Sequence, residues 1–188
     1  MDKKISIQFK STAYRMLKKM PGKLWFIFGE FIDNSISSYL QNREELERIN
    51  GKNFKLRIEL SYDDDDTIKI TDNAAGIDEK NWYRALMPGD IPEDDSGMNE
   101  FGMGMKYSAV WLSNHWILKS KSIHDDFQRI VHFDFHEVVS NGLENLPYTE
   151  NSDPKIKHGT QLILTELEAA KVLRFPKKKT QDHIRSIY

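Results

Sequence analysis

The chain's 188 residues, 39% hydrophobic and 30% charged, suffice for one domain with a real core and argue against intrinsic disorder. Its net charge of −2 gives no general electrostatic footprint for nucleic acid, although Arg174 and Lys177 to Lys179 gather locally, and the absence of cysteine excludes disulfides and thiolate metal sites. The opening MDKKISIQFK lacks a signal peptide's apolar core, and the longest apolar run, Leu24 to Ile32, is broken by Gly29 and Glu30, so a cytoplasmic chain without membrane contact is expected, nuclear if its source is eukaryotic.

Alternation at Ile5, Ile7 and Phe9 predicts a strand over residues 1 to 10. Ser11 and Thr12 are candidate caps for a helix to about Met20, ended by Pro21-Gly22. The next helix is the most informative stretch. In KLWFIFGEFIDNSISSYL, residues Leu24, Phe28, Phe31, Ile32, Ile36 and Leu40 recur three or four apart and predict one buried face, with the helix continuing through QNREELERIN to Gly51. Glu30 and Asn34 stand a turn apart on one side, with Asp33 between them. Such a pair suits a water and a hydrated cation; an ordinary solvated face has the same pattern.

Lys55 to Tyr62 alternates, with Leu56, Ile58, Leu60 and Tyr62 on one face, and Thr67 to Asp72 repeats the pattern, so the two predict a hairpin tipped by Asp63 to Asp66. Consecutive aspartates cannot all converge on one ion, so the tip is read as a solvated turn. Asp72 has the parity of Ile68 and Ile70 and therefore points inward. It either needs a partner there or opens a turn. The small residues after it, Asn73-Ala74-Ala75-Gly76, would let a flat ligand lie against the backbone.

Asp78 is placed to cap a helix to about Met87, and Pro88 to Asn99 has the composition of a mobile loop. Gly102 and Gly104 lead into a helix over Met105 to Leu112, an arrangement that turns backbone N–H groups towards an anion, with Lys106 adding charge. Neither G-x-x-x-x-G-K-[ST] nor G-x-G-x-x-G is completed, which disfavours a Walker loop and a Rossmann fingerprint. Strands are predicted over His115 to Ser120 and Phe127 to Phe135, with Val131, Phe133 and Phe135 facing the core. His132 and His136 are placed on one strand face, too far apart to chelate one ion. Asn141 to His158 is loop-rich, and Gly159 to Leu167 is a final strand.

In order, E-x-x-D-N on a helix, D-N-A-A-G at a strand end, F-G-M-G-M-K and H-G-T resemble the GHKL ATPases, the family of gyrase B, the ninety-kilodalton heat-shock chaperones, MutL, histidine kinases and MORC proteins. The resemblance covers about residues 24 to 167, and EFIDNSI with FGMGMK is similar to the wording of MORC-like and MutL-like members. It implies an α/β two-layer sandwich of Bergerat type: a mixed, mostly antiparallel sheet with helices on one face and ATP in the helical layer. It also implies Glu30 as the catalytic carboxylate, Asn34 as the magnesium ligand, Asp72 as acceptor of the adenine amino hydrogen, Gly76 and, through water, Thr160 completing the base pocket, and Gly102, Gly104 and Lys106 wrapping the triphosphate.

This sequence departs from the family pattern at Ala74, where a glycine is usual, at Ser37, where many relatives carry an acid, and at Tyr107, where a serine often follows the lysine. The resemblance implies magnesium-dependent ATP binding and slow hydrolysis, with lid closure driving dimerisation and switching an attached or partner module, DNA or protein, through a region not present. A nucleotide-gated module without useful hydrolysis and a histidine-kinase-like catalytic domain are the alternatives. Residues 1–176 are expected to form the ATP-binding domain and 177–188 the start of a linker or helix.

Overall fold

The computed structural model describes residues 10–63, 66–86 and 104–172. The predicted first strand up to residue 9, the loop over 88–99, Gly102 and residues 177–188 lie outside them. Six strands form one sheet: β1 (Ile58–Asp63), β2 (Thr67–Asp72), β3 (Ser113–Lys121), β4 (Gln128–Asp134), β5 (Tyr148–Asn151) and β6 (Gly159–Leu167). Their order is β1-β2-β6-β3-β4-β5, and each pairing is antiparallel. The helices are α1 (Tyr14–Lys19), α2 (Leu24–Gln41), α3 (Arg43–Asn50), α4 (Glu79–Leu86), α5 (Gly104–Leu112), α6 (Phe135–Asn141) and α7 (Ala169–Val172). Helix and strand side chains share a single core, which makes the α/β two-layer sandwich.

Strand alternation decides which side chains meet the helices. Ile68 and Ile70 of β2, Leu162 and Leu164 of β6, Trp116 and Leu118 of β3 and Val131 and Phe133 of β4 are all buried, each at every second position. Trp116 stacks on Phe133 with ring centres 4.6 Å apart, and Tyr14 meets the same ring edge-on at 5.0 Å. Each fully buried Leu or Val of this layer contributes about 1.5–3 kcal/mol by leaving water. β1 is an edge strand, and its Leu60 and Tyr62 remain exposed, so the predicted apolar face of that strand is only partly used.

In α2 the buried stripe is Ile27, Phe28, Phe31 and Ser35, whereas Leu40 is 59% exposed. The helix is thus rotated from the expected face, and Ser35 comes to lie opposite Asp72. The predicted single helix to Gly51 is interrupted at Asn42, which has ψ 19° and donates from Nδ2 to the Ser38 carbonyl at 2.8 Å. Gly51, at φ +100°, ends α3 as its position predicts. No Ser11 or Thr12 side chain caps a helix; Lys10 precedes a 3₁₀ turn over Ser11–Ala13. Asp78 does cap α4, accepting from the Asn81 N–H at 2.8 Å.

The expected strand through Phe135 stops at Asp134, whose carboxylate accepts from the Glu137 N–H at 2.8 Å and starts α6. His136 therefore sits on a helix and His132 on β4, so they do not share a strand face. The short strand β5 falls inside the stretch read as loop-rich. Helix α5 is held at its C-terminal end by two ammonium groups. Lys18 donates to the Val110 and Ser113 carbonyls at 3.1 and 3.0 Å, and Lys171 donates to that of Trp111 at 2.6 Å. They satisfy carbonyls that the helix leaves open, and they favour the negative end of its dipole. Burial lowers the pKa of both lysines, and Glu168, 3.1 Å from Lys18, offsets part of that cost.

Candidate functional site

A cavity of about 560 Å³ opens among α2, the end of β2, α4, the start of α5 and the start of β6. Glu30, Asn34, Asp72, Gly76, Gly104, Lys106 and Thr160 all line it, so the structure brings together every predicted site residue among those described. Gly102 lies outside the described residues. The volume falls in the range that holds a nucleotide-sized ligand.

Asp72 is the best-defined group of this cavity. β2 and β6 run antiparallel, so the end of one meets the start of the other. Asp72 Oδ1 accepts from the Ala74 N–H at 2.9 Å and the Thr160 N–H at 3.2 Å, and Ser35 Oγ lies 2.9 Å from Oδ2. Burial pushes the Asp72 carboxyl above the usual carboxylate range, against the opposing pull of these bonds and of His158. An ionised carboxylate has about four acceptor sites, so these donors leave it able to take another from a ligand.

The turn after Asp72 is fixed on several sides. Asn73 accepts from the Arg57 N–H at 2.7 Å and donates to the Lys55 carbonyl at 3.1 Å, while the Ala75 carbonyl accepts from the Ile123 N–H at 2.9 Å. Gly76 has φ +72°, and a Cβ there would lie 2.0 Å from the Lys121 carbonyl oxygen, so no other residue fits without moving β3. Ala74 is buried and needs no left-handed backbone, which explains why alanine is accommodated where the family pattern has glycine.

On α2, Glu30 and Asn34 face the cavity a turn apart, and neither has a hydrogen-bond partner among the described residues. Burial, and secondarily Asp33, raise the pKa of Glu30. Its carboxylate lies against the first residue of α5: a Cβ on Gly104 would come 1.7 Å from Glu30 Oε2. A side chain there would displace the Glu30 carboxylate. Lys106, in the first turn of α5, is only 4% exposed yet lines the cavity. Tyr107 also lines the cavity, with its hydroxyl donating to the Pro21 carbonyl at 2.9 Å.

Several lining or supporting residues were not legible as such. Ser35 is one of these; a hydroxyl inside the buried stripe of α2 is the available signal. Ser120, on β3, receives the Ile77 N–H at 2.9 Å and lies 3.0 Å from Thr160 Oγ1, tying the turn to β6. Arg84 on α4 lines the cavity with no ion pair among the described residues. Among the described residues no group of three or more His, Asp or Glu side chains is arranged to hold a metal. None of the helices described is long and apolar enough to cross a membrane.

No curated protein matches the chain. Residues 23–161 match the family model described as histidine kinase-, DNA gyrase B-, and HSP90-like ATPase.

Proposed function

The chain belongs to the histidine kinase-, DNA gyrase B- and HSP90-like ATPase family, and from that premise we propose that it binds ATP with magnesium in this cavity and hydrolyses it slowly. The observation that carries the reading is the convergence of Glu30, Asn34, Asp72, Gly76, Gly104, Lys106 and Thr160 on one cavity from separate elements of the fold. In this reading Asp72 accepts the hydrogen bond of the adenine amino group, and Gly76 and Thr160 complete the base pocket. The opposite end, Glu30, Asn34, Gly104 and Lys106, takes the phosphates.

The donor set fits a magnesium ion. Asn34 offers a hard amide oxygen without a competing bond among the described residues, and the sparse protein ligation matches an ion that keeps waters and binds mainly to substrate phosphates. When bound, the ion would neutralise charge on the phosphates. Glu30 is the proposed general base. It orients a water, accepts its proton as the water oxygen attacks the terminal phosphorus, and the bond to the bridging oxygen breaks to release ADP. A carboxylate with a raised pKa is a better base at neutral pH than an ordinary glutamate. Lys106 and the α5 N-terminus supply fixed positive charge where negative charge accumulates.

The likeness of EFIDNSI and FGMGMK to MORC-like and MutL-like wording supports an ATP-driven closing and dimerisation that switches an attached or partner module, protein or DNA, in a cytoplasmic or nuclear setting. The test pairs calorimetric binding of a non-hydrolysable ATP analogue plus magnesium with phosphate release by the unaltered chain and Glu30→Gln. Binding is expected in both, with release lost by about 10²-fold or more in the variant. An unaltered chain that binds no analogue overturns the reading. Binding with no release above background from either protein makes it a nucleotide-gated module instead.

A further inference from the structure

His158 immediately precedes the Gly159-Thr160 start of β6, and its ring is bonded on both edges. Its Nδ1 lies 2.7 Å from the carbonyl oxygen of Ala74. A carbonyl only accepts, so Nδ1 carries the hydrogen and donates it. The Nε2 edge meets the Asn50 carboxamide, 2.8 Å from Nδ2 and 3.1 Å from Oδ1. Phe54 meets the ring edge-on at 5.9 Å, and Phe54 in turn packs against Tyr39 of α2. One imidazole thus joins the last residue of α3 to the turn behind Asp72.

That turn carries one of the two backbone donors to Asp72 Oδ1, the Ala74 N–H; the other, the Thr160 N–H, lies two residues beyond His158. The side chain thus holds the turn that carries the first donor, and its backbone leads directly into the strand that carries the second. We propose that His158 is a positioning residue which fixes the aim of the Asp72 carboxylate and thereby the preference of the cavity for a purine bearing a 6-amino group. This rests on the reading of Asp72 as the acceptor for the base. His158 itself touches no base in this arrangement; it acts through the Ala74 carbonyl.

A merely structural role would weaken all nucleotides alike, so the informative quantity is a ratio. Affinities of the full chain for non-hydrolysable analogues of ATP and of inosine triphosphate, which has a carbonyl in place of the amino group, are measured by calorimetry with magnesium. The set comprises the unaltered protein, His158→Ala, His158→Phe, His158→Asn and Asn50→Ala. His158→Phe keeps a ring against Phe54 but has no N–H, whereas His158→Asn retains a donor near the position of Nδ1. The ATP-over-inosine preference is expected to fall about tenfold in His158→Ala and His158→Phe, and to be largely retained in His158→Asn. Exposed Asn50→Ala should lose about twofold to threefold of it, because it frees only the far edge of the ring. An unchanged ratio in His158→Ala and His158→Phe, or equal weakening of both nucleotides, overturns the proposal while leaving the nucleotide pocket standing. If the unaltered chain binds neither analogue, the pocket reading falls and this role falls with it.

Discussion

Replacing Asp72 with asparagine separates the ligand role of this residue from its structural one. In the fold, Asn Oδ1 can still accept from the Ala74 and Thr160 N–H groups. The new NH₂ then faces Ser35 Oγ, which can accept from it and turn its own hydrogen to the Phe31 carbonyl, 3.0 Å away. All partners remain satisfied, and a buried carboxylate whose pKa is already raised by burial is replaced by a neutral amide. Because the folded pKa is raised, ionised Asp72 costs stability above its folded pKa, so the variant's stability should lie within about 1 kcal/mol of the unaltered chain or slightly above it.

For the ligand the arithmetic differs. A charge-assisted hydrogen bond worth about 1.5–3 kcal/mol is lost, and a donor now confronts the donor of the amino group, adding roughly 1–3 kcal/mol. The total of about 2.5–6 kcal/mol corresponds to on the order of 10²–10⁴-fold weaker binding. Calorimetry with a non-hydrolysable ATP analogue reads the affinity and a thermal melt reads the fold. An Asp72→Asn protein that binds the analogue as tightly as an unaltered chain shown to bind it would refute the placement of the base.

Gly104→Ala should leave the melting temperature nearly unchanged but lower phosphate release by about 10²-fold, because the new methyl displaces the flexible end of Glu30; unaltered turnover would sink this. In Gly76→Ala the obstruction is backbone rather than a side chain, so a loss of about 2 kcal/mol, or roughly 4–8 °C in melting temperature, is expected, and a shift of less than a degree counts against it. The proposed mechanism needs ionised Glu30, whose pKa is raised, so the acid limb of kcat should lie above the ordinary glutamate range and activity should fall as pH drops through it. Asp33→Asn should move that limb down only partly, since burial is the larger cause; a pH profile that does not move, or one that moves upward, contradicts the assignment.

Much of the candidate site was legible because its residues fall in short, ordered motifs. The parity of Ile68, Ile70 and Asp72 announced an inward carboxylate, and the strand from Thr67 to Asp72 lies where alternation put it. The four-residue spacing of Glu30 and Asn34 put both on one side of α2. These are local properties, set by the periods of strand and helix. The break at Asn42, helix α6 and strand β5 were hidden because each depends on a side-chain bond or a neighbouring strand.

The sequence by itself determined the alternating strands, the polar pair on an apolar helix and the glycines, since each follows from residues a few positions apart. Tertiary structure alone decided which way α2 turned, and so placed Ser35 rather than Ile36 against Asp72. It also decided that β6, last in the sheet's chain order, runs between β2 and β3, bringing Thr160 to Asp72 across 88 positions. The clasp of His158 on Ala74 and the contact of Glu30 with Gly104 are of the same kind. Contacts of that range are set by packing of whole elements against one core, and no local period encodes them.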